Sequence, residues 1–218
     1  MPVLPNNRQP EPLDWFIGPR GCALLEAEET AISGALVARP AQQPWLWLAP
    51  AAAESRALQP PPRSLRLHRR GAELGGGVRC ALPLPLPSEG VGNIIVQHVL
   101  DTPLEGLLDE CARVLEPGGR LFMFTLNPWS PYRAHWTFSG LDAFGSGTWR
   151  HRLGGLALEP CGTGVSYLGP VWGGADGARA NTPECLRAVC LLQVEKRTRA
   201  VLPAVPAKPK WQAGAAPA

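Results

Sequence analysis

Between Ile94 and Ser130 the chain reads IIVQHVLDTPLEGLLDECARVLEPGGRLFMFTLNPWS, which predicts a strand, a helix and a second strand in that order. The first strand belongs to a β-branched apolar run from Val91 to Gln97, and the second is the apolar run from Leu121 to Leu126. Two nearly continuous apolar strands joined by a helix are typical of a parallel sheet that is covered on both faces. The segment therefore predicts an α/β fold.

The helix between these strands is predicted to begin at Thr102 and Pro103. Thr102 and Glu105 have the spacing of a capping box, and Pro103 would take the first helical position. The helix would end before Pro117-Gly118-Gly119. One apolar stripe at helical spacing marks its buried face, namely Leu104, Leu107, Leu108, Cys111, Val114 and Leu115.

The rest of the chain predicts further elements on either side of this unit. They are a helix from Gly21 to Ala38, a buried strand at Trp45 to Ala49, a short helix at Ala51 to Leu58, a strand at Ser64 to His68, a helix within Ser139 to Arg152, and strands at Leu156 to Leu158 and Leu186 to Val194. Gly75-Gly76-Gly77 is predicted to be a flexible connector. The prolines that follow it exclude the helix that a phosphate-binding loop requires.

Composition excludes several classes of function. The net charge is +3 over 218 residues, so no nucleic-acid partner is expected. The six cysteines include no C-x-x-C pair, which argues against a zinc site and favours a reducing cytoplasm. A membrane span needs about 18 or more consecutive apolar residues, and the chain has no such run. We expect a domain over residues 14–202, a flexible start at 1–13 and a disordered tail at 203–218.

Arg113-Val114-Leu115-Glu116-Pro117-Gly118-Gly119-Arg120-Leu121, set between the two apolar strands, resembles a turn of class I S-adenosylmethionine-dependent methyltransferases that act on small molecules. A weaker resemblance covers residues 13–200. It implies a Rossmann-like, mostly parallel seven-stranded sheet with an antiparallel last strand and helices on both faces. It also implies S-adenosylmethionine as cofactor and a small-molecule acceptor as partner.

The half of the chain that would bind the cofactor departs from the family pattern. Glycines in the family motif D-x-G-x-G-x-G let the backbone approach the cofactor closely. The corresponding positions here are Trp47, Ala49, Ala51 and Ala53. The acid that would accept hydrogen bonds from the ribose is replaced by His68-Arg69-Arg70, and the acid expected near the adenine by Arg79-Cys80. Ala81 and Leu82, just beyond it, do fit the family pattern.

Two groups of residues are candidates for catalysis and acceptor binding. His98 follows the first strand of the central unit, where open α/β sheets bind ligands, so it is a candidate general base. A structural histidine in a cap or loop is the alternative. Asn127, Trp129, Ser130 and Tyr132 follow the next strand and could orient and enclose an acceptor. An Asn-Pro turn with a Trp covering the core is the alternative there.

Charged residues elsewhere are expected to be solvated. Glu26, Glu28 and Glu29 predict an acidic surface patch on the first helix. Arg66, Arg69 and Arg70 predict the exposed end of a strand, in preference to an anion-binding patch.

Two hypotheses on function follow from these patterns. The first is an enzyme that transfers a methyl group from S-adenosylmethionine to a small molecule. The second is a catalytically inactive pseudo-methyltransferase that has kept the sheet and serves as a binding or regulatory partner. The resemblance favours the first, and the replaced glycines and acids favour the second.

Overall fold

A seven-stranded sheet forms the centre of the computed structural model, which describes residues 11–38, 44–55, 60–172 and 183–197. Its strands are β1 (Trp45–Pro50), β2 (Ser64–Arg70), β3 (Glu73–Gly76), β4 (Val91–Gln97), β5 (Leu115–Leu126), β6 (Leu158–Leu168) and β7 (Val189–Lys196). Their order across the sheet is β3-β2-β1-β4-β5-β7-β6. Strands β2, β1, β4 and β5 are parallel neighbours, whereas β7 runs antiparallel between β5 and β6. The predicted α/β fold is thereby confirmed.

Helices cover the two faces of the sheet. On one face lie an N-terminal 3₁₀-helix (Pro12–Ile17), α1 (Pro19–Val37) and α3 (Arg133–Phe138). On the other face lie α2 (Leu107–Val114) and α4 (Ser146–Gly155). Alternate side chains of one strand point to opposite faces. Accordingly Trp45 and Trp47 of β1 pack under α1, and Leu46 and Leu48 contribute to the core under α2.

Helix α2 begins later than its capping signals predict. Its N-terminal boundary residue is Gly106, with φ of 77°, and neither Thr102 nor Glu105 caps it. The guanidinium of Arg69 explains the difference. It donates to the carbonyl oxygens of Thr102 and Pro103, at 3.0 and 2.7 Å, which would accept the first hydrogen bonds inside a helix that began at Pro103. These carbonyls are thus held in a loop, and the predicted start at Pro103 is wrong.

The predicted connector at Gly75-Gly77 is also wrong for its first two residues. Gly75 and Gly76 belong to β3, which pairs antiparallel with β2 in the register Leu67 to Gly76 and His68 to Gly75. Glycines carry no side chain, so the sequence shows no strand pattern here. Strands pair through backbone hydrogen bonds, however, and glycines can form them.

Other boundaries differ more modestly. The short helix predicted at Ala51 to Leu58 is a 3₁₀-helix at Ala51–Ser55, and residues 56–59 lie outside the described ranges. The helix predicted within Ser139 to Arg152 is α4, which begins after Gly145 and runs through Gly147 to Gly155. Residues 1–10 and the predicted tail at 203–218 are outside the described part of the chain, and the first described element is the 3₁₀-helix Pro12–Ile17.

None of the helices in the described ranges has the length and apolarity to cross a bilayer. Within those same ranges, no group of three or more His, Cys, Asp or Glu residues is placed to hold a metal ion. The six cysteines form no disulfide bond.

Candidate functional site

A chain of buried polar side chains begins on β1 and crosses to α1. The indole Nε1 of Trp47 donates a hydrogen bond to Oε1 of Gln97, the last residue of β4, at 3.3 Å. The side-chain amide of Gln97 then donates to Oε2 of Glu28 on α1 at 2.6 Å. These residues meet at the carboxyl ends of the parallel strands, where open α/β sheets place ligands.

His98 continues this chain and lies between two carboxylates. Its Nε2 is 2.5 Å from Oε1 of Glu28, and its Nδ1 is 2.6 Å from Oδ2 of Asp101. All three side chains have no exposed surface. Asp101 also accepts from the backbone N–H of Leu126 at 3.2 Å, which ties the loop after β4 to the end of β5. We call Trp47, Gln97, Glu28, His98 and Asp101 the buried network.

Local backbone geometry sets the position of His98. Its φ is 56°, so the chain turns sharply after β4 and the backbone N–H of Asp101 bonds to the His98 carbonyl at 3.1 Å. The N-terminal 3₁₀-helix covers the imidazole, and the ring of Phe16 lies 4.6 Å from it, centroid to centroid. The imidazole is therefore held by contacts on its face as well as at both nitrogens.

The buried network holds a protonated imidazole at neutral pH. Burial alone would lower the pKa of His98, but attraction to Glu28 and Asp101, with hydrogen bonds to both, raises it to about 10. Burial raises the pKa of Asp101 to about 6, against the opposing effect of His98. His98 is thus a cation whose two N–H groups donate to carboxylates, and neither nitrogen is open to an acceptor molecule.

Arg69 lies in the stretch His68-Arg69-Arg70, where the resemblance implies an acid. Its guanidinium donates to the carbonyls of Val99, Thr102 and Pro103, and its Nε donates to that of Gly71 at 2.8 Å. Its side chain is buried, so the prediction of a solvated strand end is wrong for Arg69. Arg70 beside it is exposed and lies 3.7 Å from Glu54.

The four residues that stand where the family motif has an acid and three glycines lie in different environments. Ala49 and Ala53 are buried under α1, together with Trp47. Ala51 lines an open cleft of about 760 Å³ at the carboxyl ends of β1 and β2, next to Arg69 and Arg70. Arg66 closes the other side of Trp47, with its guanidinium carbon 4.5 Å from the ring centroid.

Ala81 and Leu82 lie away from this group. Ala81 is exposed, and Leu82 is half-buried against the core on the α2 face. Ala49 and Ala53 belong to the core on the opposite face. The structure therefore does not bring Leu82 together with those alanines.

The predicted acceptor stretch after β5 is largely engaged in internal contacts. The side-chain amide of Asn127 donates to the carbonyls of Cys185 and Arg187, both at 2.7 Å, which joins the end of β5 to the start of β7. Its Oδ1 accepts from the N–H of Trp129 at 3.1 Å, and Ser130 accepts from the N–H of Tyr132. Trp129 is 70% exposed.

Tyr132 is the centre of an aromatic cluster. Its hydroxyl accepts a hydrogen bond from Arg20 of α1 at 2.6 Å. Its ring stacks on His135 at 4.3 Å and meets Trp172 edge-on at 5.0 Å. Trp15 of the N-terminal 3₁₀-helix packs nearby, at 6.3 Å. This cluster fastens the N-terminal helices to the segment after β5.

Glu28 is a residue of the buried network that the sequence interpretation missed. It was expected on a solvated acidic patch, but it is fully buried, and only Glu26 of the three is well exposed. The signal was its spacing, because Glu28 falls on the same helical face as Leu24, Leu25 and Ile32. An acid on an apolar helical face is a candidate for a buried pair.

No protein-family model matches the sequence, and a comparison with curated proteins found no significant relative. Solved structures do match. A chain of the complex between the Haloferax volcanii Trm112 methyltransferase activator and the methyltransferase is 12% identical, with a TM-score of 0.54, covering 87% of this chain and 100% of the other.

Two further structures extend the comparison. A SAM-dependent methyltransferase from Archaeoglobus fulgidus is 10% identical, with a TM-score of 0.54, covering 84% of this chain and 97% of the other. A SAM-dependent methyltransferase from Thermotoga maritima is 12% identical, with a TM-score of 0.52, covering 84% of this chain and 94% of the other. The chain has the class I methyltransferase fold. Within that fold β3 adds a second antiparallel strand, at the edge opposite β7 and β6.

The residues at the implied cofactor positions do not fit S-adenosylmethionine in the binding mode that the resemblance implies. At two of the positions where the resemblance implies glycines, the residues are Ala49 and Ala53, whose side chains are packed in the core under α1. The ribose hydroxyls would need a carboxylate acceptor where Arg69 supplies a cation already bonded to loop carbonyls. The region around His98 is filled by the side chains of the buried network.

Proposed function

We propose that this chain is a methyltransferase-like protein that acts as a binding or regulatory partner of another protein, without methyl transfer in the family's cofactor mode. The observation that carries the proposal is the buried network. It places Glu28, Gln97, His98 and Asp101, all with less than 3% exposure, where the fold would present ligand-binding groups. Polar side chains of the same kind lining an open pocket would have favoured catalysis instead.

Exposed apolar side chains support a protein partner. Trp129 is 70% exposed, Phe138 of α3 is 91% exposed, and Ile17 at the end of the N-terminal 3₁₀-helix is 62% exposed. Large exposed apolar groups on adjoining elements are typical of protein interaction surfaces. The similar Haloferax volcanii structure is a complex with an activator protein, which makes a protein partner a reasonable proposal for this chain. A cytoplasmic location is part of the proposal.

Calorimetric titration with S-adenosylmethionine and S-adenosylhomocysteine tests the loss of cofactor binding. We expect no binding heat from either compound at millimolar concentration. Micromolar binding would overturn the proposal. If such binding were then lost in Trp47→Ala or His98→Ala, with the fold retained by circular dichroism, it would be assigned to the predicted cofactor and catalytic positions.

Affinity capture from the source cell extract tests the partner. Trp129→Ser and Phe138→Ser remove exposed apolar surface, whereas Val78→Ser changes a 45%-exposed residue beyond β3 and serves as the matched control. We expect wild type and Val78→Ser to retain one common protein that both other variants lose. Equal capture by all four would contradict a partner surface at α3.

Methyl transfer to a small-molecule acceptor is the second candidate, and the open cleft beside Ala51 favours it. At about 760 Å³ the cleft has the size of a small-molecule site, and it lies at the carboxyl ends of β1 and β2. In this proposal Asn127, Trp129, Ser130 and Tyr132 would contact the acceptor. Ala51→Trp fills the cleft, so it should abolish any S-adenosylmethionine binding while Val78→Ser leaves it intact.

A further inference from the structure

A second cavity lies on the α2 face of the sheet, away from the buried network. Its volume is about 560 Å³, and it is an open cleft lined by the loop after β4, the start of α2, the segment before α4 and α4 itself. This volume is within the range of small-molecule sites, about 300 to 1,000 Å³. All the elements that line it lie within the continuously described range 60–172.

The floor of this cavity is apolar and aromatic. Leu100 and Trp149 are buried in it, and Leu104 and Phe144 are half-buried at its sides. Phe144 meets Trp149 edge-on, with ring centroids 5.7 Å apart. The indole Nε1 of Trp149 has no hydrogen-bond acceptor among the described residues, although the side chain is only 2% exposed. A buried N–H donor without an acceptor is costly, and its resonance reports on changes in this cavity.

The rim of the cavity carries unbalanced negative charge. Glu105, Asp109 and Asp142 contribute three carboxylates, and none of them forms an ion pair within the described ranges. Arg152 is the cation of the rim. It lies over the rings of Phe144 and Trp149, at 5.2 and 5.3 Å, rather than against a carboxylate.

We propose that this cavity binds a small organic cation, with an apolar or aromatic body on the Leu104–Phe144–Trp149 floor and an ammonium group at the acidic rim. The apolar floor supplies the area that excludes water, and the excess of two negative charges selects against anions. The inference does not depend on the proposed function, because the cavity belongs to the core on the α2 face and the buried network to the other.

Three probes of similar size and different charge test the proposal: 2-phenylethylammonium, 2-phenylethanol and 3-phenylpropanoate. Binding is measured by calorimetry and by the indole N–H resonance of Trp149, which is assigned from a Trp149→Phe sample. We expect the cation to bind about fivefold or more tightly than the alcohol, the effect of one partly exposed ion pair. The anion should bind most weakly, and the Trp149 resonance should shift with the cation.

Variants locate the site. Asp109→Asn with Asp142→Asn should bring the affinity for the cation down to that for the alcohol, while Glu73→Gln, an exposed carboxylate outside the cavity, should leave it unchanged. Leu104→Trp fills the cavity and should abolish binding of both, with folding checked by circular dichroism. Equal affinity for all three probes, no binding of the cation, or undiminished binding to folded Leu104→Trp would overturn the proposal.

Discussion

Glu28 decides the chemical character of His98. An imidazole at the end of a central strand is a candidate base when one nitrogen faces a ligand, but here both nitrogens are within 2.6 Å of carboxylate oxygens. Burying these charges is costly unless each is paired, and the Glu28–His98–Asp101 arrangement pairs the cation twice. The same arrangement withdraws His98 from any reaction at the surface.

Removing Glu28 should therefore destabilise the fold strongly. Glu28→Ala leaves the buried imidazolium with one carboxylate and Gln97 without its acceptor, and we expect a loss of about 3 to 5 kcal/mol in the free energy of unfolding. Glu26→Ala, on the exposed side of the same helix, should change it by less than about 0.5 kcal/mol. Urea unfolding followed by tryptophan fluorescence measures both, and similar losses would show that Glu28 carries no special role.

Among the elements, the contact between the N-terminal 3₁₀-helix and α1 controls the cover over the buried network. A methyl group on Gly21 would lie 2.3 Å from the Cα of Phe16 and 2.6 Å from the carbonyl oxygen of Trp15. Both neighbours are backbone atoms and cannot move aside as a side chain could. Only glycine lets the 3₁₀-helix lie this close to α1 and set Phe16 on His98.

Two substitutions on α1 separate this close approach from helix propensity. Gly21→Ala should destabilise the protein by about 1 to 3 kcal/mol because the two backbones must separate. Gly34→Ala, where a methyl group meets no atom within 4 Å, should stabilise it by about 0.5 to 1 kcal/mol. Thermal unfolding measures both, and stabilisation by Gly21→Ala would refute the described contact.

For the whole molecule, the buried network makes stability depend on pH. The folded-state pKa of His98, about 10, lies above its ordinary value of 6.5, so the folded state binds this proton more tightly. The stabilisation is complete below pH 6.5 and is lost as the pH rises towards about 10. The raised pKa of Asp101 acts in the same direction over a lower range, from its ordinary 3.8 to about 6.

Glu28→Gln should flatten this dependence. It removes one of the two carboxylates that raise the pKa of His98 while keeping an oxygen that can accept from the ring, so the fall in unfolding free energy between pH 6.5 and about 10 should shrink. Urea unfolding across that interval compares the variant with wild type and with Glu26→Gln. Parallel curves for all three would contradict a protonated His98.

The sequence predicts this fold where local pattern decides structure. The apolar runs at Val91–Gln97 and Leu121–Leu126 form strands as expected, since each is buried on both faces. Distant partners decide the rest. The start of α2 depends on Arg69, 34 residues before Pro103, and the environment of His98 depends on Glu28, 70 residues away. No window of sequence around Thr102 or His98 contains those partners.

The separation between Glu28 and His98 also bears on how the chain is made. A ribosome that releases the polypeptide from its amino end exposes α1 about 70 residues before the loop that neutralises Glu28. Until β4 has been synthesised, this helix carries an acid on its apolar face and cannot dock permanently. We therefore expect the first helix in the sequence to dock only after β4 and the loop that follows it have been made.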